Sequence, residues 1–153
     1  MTNKLLWIFI RIMKFFVKIR LLFIAKFISF FIRIFFSAQI PPTVSIGKGV
    51  VFGYGALSVV LHSESVIGEN CRIGAGVTLG SRNPDKGAPI IGRNSFIATG
   101  AKVLGSVTIG ENCVIGANAV VTKDIPDNCI AVGIPAKVVK ENIDIREYNE
   151  SFY

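Results

Sequence analysis

The stretch IGENCRIGAGVTLG, residues 67–80, places an aliphatic residue every six positions, and IGENCVIGANAV, residues 109–120, does the same. Extended outward, the series runs Ile46 and Phe52, then Leu61, Ile67, Ile73 and Leu79, then Ile91, Ile97, Val103, Ile109, Ile115 and Val121. A period of six is neither helical nor a simple alternation. Two positions before each of these stands a second residue, among them Val44, Ser65, Cys71, Val77, Ala101, Cys113 and Ala119. The two-residue alternation of strands points both inward. Such a pattern describes a solenoid of short strands joined by turns, each unit burying its apolar face only by stacking on the next.

Two interruptions stand out. The spacing from Phe52 to Leu61 is nine, which predicts a bulge around Gly53–Ser58. From Leu79 to Ile91 it is twelve, and the intervening GSRNPDKGAP (80–89) carries turn residues and no strand pattern, so a loop is extruded there. Bulges and loops on a rigid scaffold are where function is usually carried. Because the repeat explains the glycines of FGYGALS and IGAGVTLG as corners, a dinucleotide or phosphate loop is not needed.

The first 38 residues differ in kind. They hold seven of the 17 Lys and Arg, no Asp or Glu, and nine of the 12 Phe; the first acid is Glu64. The rest of the chain carries ten charges of each sign, so the net +7 belongs to this segment. Cations at Arg11, Lys14, Lys18, Arg20, Lys26 and Arg33 interrupt every apolar run, short of the roughly 20 residues a spanning helix needs. The same charges argue against a signal peptide. At about 100° per residue, Lys4, Arg11, Lys14, Lys18, Lys26 and Arg33 gather on one side, with Arg20 opposite as a break between two helices. Residues 1–38 are therefore expected to form a basic amphipathic helix or helix pair lying on an anionic membrane surface; packing on the solenoid is the alternative. Nucleic acid is not expected, because Phe, Ile and Leu fill the remaining faces. Cys71, Cys113 and Cys129 show no disulfide or metal spacing, which implies a reducing compartment, and the expected location is cytoplasmic, on the inner face of the membrane.

The units IGENCR (67–72), IGAGVT (73–78), IGENCV (109–114) and IGANAV (115–120) resemble the motif of the hexapeptide-repeat acyltransferases, and the resemblance covers about residues 40–140. It implies a mainly β fold, a left-handed parallel β-helix of about five turns with three hexapeptides per turn, preceded by the amphipathic α-helical segment. The expected organisation is residues 1–38, a β-helix domain over 39–140 and a polar tail over 141–153. The resemblance also implies a homotrimer with active sites between neighbours, acetyl-CoA as acyl donor and no metal. One histidine could not supply a three-histidine zinc site in any case.

Acyl transfer needs a general base for the acceptor proton and N–H groups for the oxyanion. Here the chain resembles short relatives of serine acetyltransferase from surface-polysaccharide pathways. Their pattern GHGGLGIVIH reads GYGALSVVLH from Gly53 to His62, so the usual base falls on Tyr54, and a second family histidine falls on Ala88. Either His62 has taken over as base, or Tyr54 acts or positions the acceptor, or the chain keeps the platform without activity. His62 is favoured, because phenol is a poor base near neutrality, with Glu64 or Asp85 to orient it. Ala98, Thr99, Gly100 and Ala101 are candidates for the thioester arm. Lys102, Lys123 and Lys137 are candidates for the phosphates, and the closing signature brings Ile134 and Pro135 near the nucleotide. The acceptor expected is a saccharide, lipid-linked at the membrane; serine is the alternative, and a non-catalytic membrane scaffold a further one.

Overall fold

The computed structural model describes residues 2–82 and 87–149. The six-residue period becomes strands of two to three residues, laid down in turns of three. The first turn is β1 (Ser45–Ile46), β2 (Val51–Phe52) and β3 (Val60–Leu61); the second is β4 (Val66–Ile67), β5 (Arg72–Ile73) and β6 (Thr78–Gly80). The third is β7 (Ile90–Ile91), β8 (Phe96–Ile97) and β9 (Lys102–Leu104), and the fourth β10 (Thr108–Ile109), β11 (Val114–Ile115) and β12 (Val120–Val121). A fifth begins with a bridge from Ile125 to Ile109 and β13 (Ile130–Gly133), then closes as β14 (Ala136–Lys140) folds back antiparallel on β13. Like strands pair in parallel, so β1-β4-β7-β10, β2-β5-β8-β11-β13 and β3-β6-β9-β12 form the three faces of a left-handed prism.

Strict register stacks like on like: Ile67 on Ile91 on Ile109, Ile73 on Ile97 on Ile115, Leu79 on Val103 on Val121. All are buried, as are the small residues two positions earlier. Each filled aliphatic position contributes about 1.5–3 kcal/mol. The column Cys71, Ser95, Cys113 is more than filler. Cys71 Sγ donates to Gly92 O (3.0 Å), Ser95 Oγ to Gly110 O (2.8 Å) and Cys113 Sγ to Pro126 O (2.9 Å), each satisfying a carbonyl of the corner below.

The corner between the first two faces is turned by asparagine. Asn70, Asn94, Asn112 and Asn128 all adopt left-handed φ of 56–58° or 55°, the conformation Asn tolerates best after Gly. Their side chains form a ladder, Asn94 donating to Asn112 (3.1 Å) and Asn112 to Asn128 (3.0 Å).

The N-terminal segment folds as α1 (Thr2–Lys18) and α2 (Leu22–Phe36), broken where Arg20 takes φ 62°. α1 covers the open end of the prism: Leu6, Ile10 and Met13 join the core and Trp7 meets Phe52 at 6.2 Å between ring centroids. An end cap of this kind is what a solenoid requires. The expected basic side loses one member, because Lys14 turns inward and donates to Pro42 O (3.0 Å) and Val44 O, and its burial lowers its pKa. The terminal segment is likewise more than polar: Ile143 and Ile145 bury against Val114, and α3 (Arg146–Asn149) follows.

Candidate functional site

His62 directly follows β3, at the corner between the third and first faces. Register puts it in one column with Gly80 and Leu104, so the extruded loop after β6 leaves the same edge one turn below. The imidazole is half-buried. Its Nδ1 accepts the backbone N–H of Glu64 at 3.3 Å, so Glu64 orients the ring through its amide, while its own side chain is exposed. A neutral ring held this way carries its proton on Nε2. Asp85, the other expected orienter, lies outside the described residues.

Tyr54 sits elsewhere. The predicted bulge is a tight turn, Gly53–Ala56, in which Tyr54 (φ 49°), Ala56 (φ 66°) and, just beyond, Ser58 (φ 55°) are all left-handed. Three non-glycine residues so close together store strain of roughly 1 kcal/mol or more each, a cost that clusters at functional turns. The tyrosine side chain is 83% exposed, and no hydrogen bond joins it to His62. It stands on the corner between the second and third faces, with the third face between it and His62.

That second corner also carries the expected thioester track. Ala98, Thr99 and Gly100 turn it on the third turn, Gly100 at φ 75°. The tip of the β13–β14 hairpin continues it below, where Ile134 is 74% exposed and Pro135 beside it is also exposed. Lys102 starts the next strand and spends its ammonium within the chain, donating to Gly76 O at 2.6 Å. Lys123 and Lys137 are exposed, but Lys123 follows β12 on the His62 edge. Ala88 is buried. One chain thus holds an imidazole on one edge and the track on the next. Among the described residues no cluster of His, Cys, Asp and Glu is arranged for a metal. Sequence reasoning did not foresee this split, because spacing gives a residue's corner only once the turn it belongs to has been counted.

Comparison with known proteins places this architecture. Residues 43–81 match the profile "Hexapeptide repeat of succinyl-transferase" and residues 88–123 the profile "Bacterial transferase hexapeptide (six repeats)". The chain belongs to the hexapeptide-repeat transferase family. It is 43% identical over 134 residues to the serine acetyltransferase of Bacillus pumilus, covering 86% of this chain and 61% of that protein. It is 42% identical over 122 residues to that of Bacillus subtilis, covering 78% of this chain and 56% of the relative. Among solved structures, a truncated serine acetyltransferase apoenzyme superposes with a TM-score of 0.85 at 30% identity, over 91% of this chain and 58% of that one. A serine acetyltransferase from Brucella abortus in complex with coenzyme A gives 0.83 at 29% identity, over 87% and 54%. The chain therefore spans between half and two thirds of the length of these relatives.

Proposed function

We propose that this chain is an acetyl-CoA-dependent O-acetyltransferase in which His62 is the base that takes the acceptor's hydroxyl proton. The carrying observation is the placement of His62, the chain's only imidazole, half-buried at the corner from which the 80–89 loop emerges on a prism shared with acetyltransferases. The acceptor oxygen attacks the thioester carbonyl as the imidazole takes its proton; the acyl carbon–sulfur bond then breaks, and the departing thiolate of coenzyme A takes that proton back from the imidazolium. For this the Nδ1 lone pair must be released from the Glu64 amide, or the ring turned over. At 3.3 Å that bond is long enough for a bound hydroxyl to displace it. The exposed Thr99 at this corner would hold the donor arm, since the N–H groups of Ala98 and Gly100 are spent on Ile115 O and Ala75 O, with Lys123, Lys137 and the Ile134–Pro135 tip toward the nucleotide.

His62 and the track occupy different edges of one prism, which supports a homotrimer in which the His62 edge of one copy faces the Ala98–Gly100 edge of the next. The names of the relatives favour serine as acceptor. A saccharide hydroxyl, carried on a lipid at the inner face of the cytoplasmic membrane, is the second reading; the outward Phe-rich face of α2 favours it. The discriminating experiment supplies acetyl-CoA and either L-serine or a panel of free and lipid-linked saccharides, following thiol release and the acetylated product by mass spectrometry. Acetylation of one acceptor class, dependent on trimer formation, is expected. Coenzyme A binding with no acetylated product from any acceptor would leave only the scaffold.

A further inference from the structure

α1 and α2 each bury one side on the prism, yet the opposite side is apolar too. On α1 it presents Ile8 (52% exposed), Ile12 (44%) and Phe15 (58%), and on α2 Phe23 (84%), Phe27 (56%) and Phe30 (55%). Exposed apolar residues in continuous rows mark a surface that something covers. The next row round each helix is cationic and exposed: Arg11 and Lys18 on α1, Lys26 and Arg33 on α2. No helix of the described residues is long and apolar enough to cross a membrane.

From this arrangement we infer that the α1–α2 pair is a docking surface for an anionic phospholipid bilayer, lying in the interface with Phe23, Phe27 and Phe30 among the acyl chains and the bordering cations on the headgroups. Charge selects this occupant over a second copy of the chain. A copy docked face to face would set one cationic row against another, and the chain offers no acid before Glu64 to relieve it. Anionic headgroups supply that complement along the whole border. Lys14 takes no part, since its ammonium is spent on Pro42 and Val44 and ties α1 to the prism. The bilayer thus receives the outward side only, and the prism stays in water.

The test is partitioning of the full chain between water and vesicles of phosphatidylcholine, with and without phosphatidylglycerol. Binding to the anionic vesicles that weakens with salt is expected. Lys26→Ala with Arg33→Ala should lower it about 25-fold, at roughly fivefold per lost cation. Phe27→Ser with Phe30→Ser should lower it at least as far while the prism stays folded by circular dichroism, because both rings lie outside the core and pack on Phe31. Equal partitioning into neutral and anionic vesicles, or none into either, would overturn the inference. So would a lipid-free oligomer that Phe27→Ser with Phe30→Ser dissolves, since a second copy would then cover the face.

Discussion

Single residues in this prism carry more chemistry than their apolar surroundings imply. Cys71 is buried, and its desolvation outweighs the backbone hydrogen bonds from Ser95 and Gly68 that favour thiolate, pushing its pKa up to about 11 from 9.0. A raised folded-state pKa gives stability that is complete below the unfolded value and lost as pH rises through the folded one. The loss therefore falls between about pH 9 and 11, and amounts to roughly 2–3 kcal/mol for this group. Urea unfolding at pH 8 and pH 10.5 should show it, and Cys71→Ser, which can make the same bond as Ser95, should flatten the dependence. A pH profile equal to wild type in that variant would mean the thiol does not titrate as described. Spacing identified Cys71 and Cys113 as inward residues. That their thiols donate to carbonyls of the next corner was not legible, because a six-letter repeat names the column and not the partner below it.

At the scale of the element, the corners are where sequence and geometry constrain each other most tightly. A Cβ on Gly74 would stand 2.5 Å from Thr99 N and 2.8 Å from its Cα, both backbone atoms of the next turn. Nothing there can move without parting the turns. Gly74→Ala should cost roughly 3 kcal/mol or more, in the range of severe overpacking, with a lower melting temperature by circular dichroism. A change below about 0.5 kcal/mol would show that the turns are more loosely stacked than the register implies. The strands, the bulge at Gly53–Ser58 and the break at Arg20 were readable from spacing and charge alone. The asparagine corners were present in every GEN and GRN triplet but invisible as a signal, since the repeat does not say which residue must take φ above zero. Lys14 was misplaced for a different reason: a helical wheel orders residues around an axis and is silent on what lies beside it.

The whole molecule combines a capped prism with a helix pair that is apolar on two sides. Its fold follows from one period, whereas the placement of the candidate site residues does not, because a residue's corner is fixed only once the turns before it are counted. Tyr54 and His62 stand only eight positions apart in the chain and yet lie on different edges. The proposed acetyl transfer rests most heavily on His62. Its direct test is the steady-state rate of thiol release from acetyl-CoA with the acceptor that the panel identifies, in wild type, His62→Ala and Tyr54→Phe. General-base catalysis is worth about 10²–10⁴-fold, so His62→Ala should lose at least about 100-fold in kcat with the trimer and coenzyme A binding intact, while Tyr54→Phe stays within a few-fold of wild type. A His62→Ala enzyme that turns over at the wild-type rate would contradict it.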